Sequence, residues 1–156
     1  MRTTIVALGF ALATQPALAD QQTLSAFSVL GDPEIVDVAP EGLSVGDMFA
    51  RRGVKLASPD GPVLGEYYSQ ATIVHFDPEA ATSVRSYFIE LVTEAGSIFM
   101  MDLIEVDHKA PELQLDGHEG AVIGGTGAYS GIRGSYRMTI KDGVSQKEIS
   151  FTLPTN

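Results

Sequence analysis

The chain contains no cysteine and no tryptophan. The first absence excludes disulfide scaffolds, thiolate metal sites and cysteine nucleophiles, and the second removes the strongest cation–π platform. Positive charge is scarce too, since ten Lys and Arg stand against twenty Asp and Glu for a net charge of −10. A field of that sign repels phosphate, so no nucleic-acid partner is expected, and docking on an anionic membrane is disfavoured on the same ground. Asn occurs once, at Asn156, so there is no N-x-S/T acceptor for N-glycosylation. No apolar run reaches the roughly twenty residues of a membrane span. Nor does any extended stretch repeat apolar residues at i, i+3, i+4 and i+7, so helix is at most a minor element.

What is present begins with a leader. Arg2 forms a small positive region, Ile5 to Ala13 is a short apolar run, and Ala17-Leu18-Ala19 has the A-x-A form of a cleavage site. Residues 1–19 therefore read as a secretory signal peptide and residues 20–156 as the mature domain, an exported protein in the periplasm or the medium. Cleavage would leave 137 of the 156 residues and, with Arg2 gone, a net charge of −11. A domain of that size buries roughly two thirds of its unfolded surface, enough to be stable without disulfides.

The mature segment alternates polar and apolar residues between turn signals from end to end. Strands are predicted over Thr23–Leu30, Glu34–Val38, Asp47–Leu56, Val63–Phe76, Thr82–Glu94, Ser97–Asp107, Glu119–Ile123, Ser135–Lys141 and Ser145–Leu153. Pro59-Asp60-Gly61-Pro62, Asp77-Pro78, Ala95-Gly96 and Asp142-Gly143 supply the turns and join neighbours, so the sheet is mostly antiparallel. Such a sheet left open would expose hydrophobic edges; it must form a sandwich or a closed barrel, and the pattern favours the barrel.

The hairpin around Ala95-Gly96 carries the most chemistry. A three-residue loop Glu94-Ala95-Gly96 would set Thr93 opposite Ser97, placing Tyr87, Ile89 and Leu91 on one face with Phe99, Met101 and Leu103. Glu90 and Asp102 would then share the other face with Phe88, Val92, Ile98 and Met100. Carboxylates in such surroundings resist ionisation and can act as acid and base. The alternative is that this face is simply the wet exterior. A two-residue Ala95-Gly96 loop would instead put Glu90 and Asp102 on opposite faces. A hairpin apolar on both sides also needs cover on both sides, with a core or cavity within and a subunit interface without. The acidic stretch Asp102, Glu105, Asp107, His108, Asp116, His118, Glu119 lacks metal-site spacing and reads as a solvated loop, so no metal is expected.

Gly120-Ala-Val-Ile-Gly-Gly-Thr-Gly-Ala-Tyr-Ser-Gly-Ile-Arg-Gly134 is not a nucleotide loop. Thr126 stands where a P-loop needs Lys, and Ser130 where a dinucleotide fingerprint needs its third Gly. Its glycines, Gly124, Gly125, Gly127 and Gly134, are expected to be structural, giving a tight passage between two strands.

The same segment resembles the VxGGTGxF/YxxxxG signature of plant dirigent proteins and allene oxide cyclases, with weaker correspondence across Ser44 to Thr139. The resemblance implies a single eight-stranded antiparallel β-barrel with a lipocalin-like hydrophobic cavity, no cofactor and a homotrimeric assembly. It also implies that Arg133, which matches the Arg before the last signature Gly, faces substrate; the alternative is a structural partner of a loop carbonyl or carboxylate. Phe27-Ser28-Val29-Leu30 carries neither the Glu nor the Asn that allene oxide cyclases place near the start of the first strand.

Together these readings predict a barrel that binds a hydrophobic small molecule, lipid-derived or phenolic. Glu90, Asp102 and Arg133 are the candidate catalytic groups, and Tyr68, Phe88, Met100 and Tyr129 the candidate ligand contacts. Either the barrel steers a cyclisation, isomerisation or coupling, or it carries the ligand unchanged; a barrel filled by its own side chains would make it a structural envelope protein.

Overall fold

The computed structural model describes residues 21–29, 32–38, 40–109, 116–141 and 144–153. The leader expected at 1–19 and the turn expected at Asp142-Gly143 lie outside the described residues. Among the described residues there are nine strands: β1 (Gln21–Val29), β2 (Glu34–Val36), β3 (Met48–Leu56), β4 (Val63–Asp77), β5 (Thr82–Thr93), β6 (Gly96–Asp107), β7 (Glu119–Gly125), β8 (Arg133–Lys141) and β9 (Val144–Thr152). A 3-10 turn at Gly127–Tyr129 joins β7 to β8.

The strands hydrogen-bond in the order β1-β9-β8-β7-β6-β5-β4-β3-β2, and β1 returns to β3 through Phe27 and Leu56. Eight strands, β1 and β3 to β9, thus close an antiparallel barrel, and β2 lies on the remaining edge of β3. Period-2 alternation decides what is inside. On β8 and β9, Tyr136, Met138, Ile149 and Phe151 point inward and are buried, while Arg137, Thr139 and Glu148 between them are exposed. Turn chemistry acts as expected at Asp77, whose Oδ1 accepts the N–H groups of Glu79 (2.9 Å) and Ala80 (3.0 Å).

Closure is incomplete on one side. β3 pairs with β2 at Met48 to Ala50 and with β1 at Leu56, so Arg51 to Lys55 have no strand partner on that edge among the described residues. The gap is a lateral seam in the wall.

The β5–β6 register differs from the expected one. Thr93 pairs with Gly96 across a two-residue turn, Glu94-Ala95, so Glu90 faces Phe99 and Asp102 faces Tyr87. The Thr93 side chain holds that turn: its hydroxyl donates to Gly96 O at 2.9 Å and accepts from the Ala95 N–H at 3.2 Å. A one-residue change of loop length flips one strand's faces. Tyr87, Ile89 and Leu91 therefore share the interior with Ile98, Met100 and Asp102, and Phe88 and Glu90 share the exterior with Phe99 and Met101.

The glycine segment packs on this turn, with the Ala128 N–H donating to Ala95 O (2.8 Å) and the Thr126 N–H to Ser97 O (2.9 Å). Gly125 does not have positive φ; its requirement is steric, because a Cβ there would lie 2.6 Å from both Ser97 O and Tyr129 O. Gly127 has φ +58, Gly134 lies against the β9 backbone, and Gly124 is the least crowded of the four.

Candidate functional site

The barrel core consists of two apolar clusters with a polar belt between them. The larger contains Ile89, Leu91, Ile98, Met100, Ile149 and Phe151, the smaller Phe49, Ala71 and Ile73. Inward residues along the strands change character between the two: Asp102 follows Met100 and precedes Ile104 on β6, Lys147 precedes Ile149 on β9, and Arg51, Gly53 and Lys55 follow Phe49 on β3.

Asp102 is the centre of one half of the belt, its side chain only 3% exposed. Its Oδ2 accepts a short hydrogen bond from the Tyr136 hydroxyl, and His118 Nε2 lies 3.1 Å from the same oxygen, at ion-pair distance but outside hydrogen-bond geometry. Oδ1 is buried without a hydrogen-bond partner. Burial pushes the Asp102 carboxyl above the usual carboxylate range, and His118 and Lys147 oppose the shift. The contact with Tyr136 depends on a missing side chain. Gly120 pairs with Tyr136 across β7–β8, and a Cβ at Gly120 would come within 2.5 Å of the Tyr136 ring and 2.9 Å of Asp102 Oδ2.

Two buried lysines form the other half. Lys55 donates to Ser28 Oγ at 2.7 Å and lies 4.4 Å from the Tyr67 ring centroid; Lys147 contacts Met138 Sδ at 2.9 Å and lies 5.6 Å from the Tyr136 ring centroid. Neither has a carboxylate within 4 Å among the described residues. Loss of hydration lowers Lys55 to about 7, helped by Lys147, and lowers Lys147 to about 8, with Asp102 opposing. An interior cavity of about 50 Å³ is lined by Arg51, Lys55, Lys147, Tyr67, Tyr136 and Ser145 with Ile89, Ile104 and Met138. A second, about 220 Å³, opens at the lateral seam; Arg51 and Tyr67 line both.

The expected site residues divide between two sides of the wall. Asp102 and Met100 are inside, and Met100, 1% exposed, is packed in the larger core cluster. Glu90, Phe88 and Tyr68 come together, but outside the barrel, in an open groove of about 440 Å³ with Arg52 and Gln70. The expectation that Glu90 and Asp102 share a face is thus corrected, the two-residue turn being the cause. Phe88 stacks on Phe99 (6.1 Å) and the Tyr68 hydroxyl donates to Glu66 (2.6 Å). Tyr129 meets Phe151 edge-on at 5.9 Å and packs on the core. Arg133 is exposed and donates to Ile132 O at 2.7 Å. His118 and Asp102 do not belong to a solvated loop, since β6 and the approach to β7 turn both inward.

Lys55, Lys147, Arg51, Tyr67 and Tyr136 were not singled out from the sequence as site residues. The signal was there in phase: Lys147 stands two residues before Ile149 on the alternation that buries Ile149 and Phe151, and Lys55 lies in step with Phe49.

No family model and no curated protein matches the chain. Solved structures do. A pyocyanin demethylase superimposes with a TM-score of 0.64 at 21% identity, over 85% of this chain and 100% of that one. The pterocarpan synthase dirigent protein GePTS1 gives 0.61 at 16% identity, over 94% and 100%. The Diels–Alderase AbmU from Streptomyces koyangensis gives 0.60 at 13% identity, over 90% and 72%. The chain has the antiparallel barrel fold that a dirigent protein and Diels–Alderase cyclases also have.

Proposed function

We propose that this is an exported, cofactor-free barrel of the allene oxide cyclase and dirigent type, which binds a small molecule with an apolar body and steers its cyclisation, isomerisation or stereoselective coupling. The observation that carries the reading is the Asp102–Tyr136–His118 cluster, held inside a hydrophobic barrel beside Lys147. A core built for stability alone has little reason to enclose a carboxylate with one oxygen unpartnered. Tyr136 lines the interior cavity while its hydroxyl donates to Asp102, so its oxygen can take a proton from substrate as its own passes to the carboxylate. Lys147 supplies positive charge where an oxyanion would develop, and walls of Ile89, Ile104 and Met138 exclude water and fix the end of the substrate that enters there. In this scheme Tyr136 and Lys147 touch substrate, and Asp102 and His118 position them.

The test is incubation of the mature protein with a panel of fatty acids, oxylipins and phenolics, read by chiral chromatography and mass spectrometry. A product ratio changed by the wild type and restored to the uncatalysed ratio by Tyr136→Phe and Asp102→Asn is the expected result. A ligand that binds and is recovered unchanged makes the protein a carrier.

The proposal includes a homotrimer, supported by exposed Phe88, Met101, Leu103 and Ile123 on adjacent outer strands. Light scattering at micromolar concentration is expected to give three times the chain mass.

A further inference from the structure

We infer that the ligand is an anion, with a carboxylate or an equivalent oxyanion on an apolar body, and that its charged head is held by Lys55, Lys147, Arg51 and Ser145. This deepens the reading above and rests on it. Among the described residues, the lining of the interior cavity contains three basic side chains and no carboxylate. In a chain with ten Lys and Arg in all and twice as many acidic residues, three of the ten on one small cavity is a local reversal of the overall charge.

Buried charges in folded proteins are paired, because an unpaired one forfeits its hydration for nothing in return. Here Lys55 has a hydroxyl and a ring face, and Lys147 a thioether and a ring face. Asp102, the nearby carboxylate, has its Oδ2 against Tyr136 and His118 and does not line the cavity. A separate observation agrees. Ser145, 0% exposed, lines the same cavity with its Oγ unpartnered, which is a hydroxyl donor without an acceptor.

Volume supports a head group rather than a whole ligand. About 50 Å³ holds roughly three to five water-sized atoms, the size of a carboxylate. The body then lies at the seam between β1 and β3, in the 220 Å³ cavity that shares Arg51 and Tyr67 with the interior one. Gly53 contributes no side chain to that opening, and Val54 and Leu56 give it apolar surface.

Matched acids and alcohols test this, with octanoate against 1-octanol and 4-coumarate against 4-coumaryl alcohol titrated calorimetrically into the mature protein. Each acid is expected to bind at least tenfold more tightly than its alcohol. Replacing both lysines, Lys55→Met with Lys147→Met, should bring that ratio to within about twofold. Alcohols that bind the wild type as tightly as the acids overturn the inference and leave the ligand-binding reading standing, as does an unchanged ratio in the double variant. Failure of all four probes to bind at millimolar concentration overturns both.

Discussion

Substituting Lys55 by Met should change how stability depends on pH, and the size of the change follows from the site. In the folded barrel burial lowers the amine to about 7, from an ordinary value of 10.5. Below pH 7 the group is protonated in both folded and unfolded chains, and the folded state bears the full cost of a buried ammonium. Between 7 and 10.5 the unfolded chain binds a proton that the folded chain does not, so stability rises with pH. At about 1.4 kcal/mol per pH unit, and with the folded amine still half protonated at pH 7, the interval from pH 7 to 9 is worth roughly 2 kcal/mol from Lys55. Lys147, lowered to about 8, adds roughly 1 kcal/mol over the same interval and remains in the variant. Asp102 works in the opposite sense, because a raised carboxyl loses stability as pH passes through its folded value, but it is common to both proteins and cancels in their difference. Denaturant unfolding of wild type and Lys55→Met at pH 7, 8 and 9 measures that difference. The variant should be the more stable at pH 7, with its advantage shrinking by roughly 2 kcal/mol by pH 9. An advantage that stays constant across the three pH values would show that Lys55 is not a desolvated amine and would refute the reasoning.

Gly120→Ala should cost roughly 1 to 3 kcal/mol in thermal or denaturant melts, because its Cβ would press on the Tyr136 ring and break the Asp102 contact. It should also abolish product steering, as Tyr136→Phe does; retention of both stability and steering would remove the cluster from the mechanism. Gly125→Val should destabilise by a similar ~1 to 3 kcal/mol through collision with Ser97 O and Tyr129 O, and an unchanged melting temperature would deny that crowding. Glu90→Gln, on the outer face, should leave stability within about 0.5 kcal/mol and leave product ratios unaltered. A lost activity there would move the site to the outer groove.

The strands were legible in the sequence because side-chain alternation is a local property: Tyr136, Met138 and Ile140 before Asp142-Gly143, and Ile149, Phe151 and Leu153 after it, require no knowledge of neighbours. Edge exposure excluded an open sheet and left a sandwich or a barrel, with the pattern favouring the barrel, and a structural use of the glycines followed from their density. The site was legible only in part. The sequence leaves Asp102 open between a cavity and a wet exterior, and the face it would share with Glu90 rests on a turn one residue longer than the one that forms, so parity carries Glu90 to the wrong side of the wall. Turn length is set by where the Thr93 hydroxyl finds its two backbone partners, which composition does not specify. Tyr136, His118 and Asp102 are separated by sixteen and eighteen residues along the chain and meet only because β6, β7 and β8 lie side by side. The convergence of Lys55 and Lys147 is more distant still, from strands β3 and β9 on either side of β1. Alternation says that both point inward; only closure of the barrel around β1 makes them line one cavity.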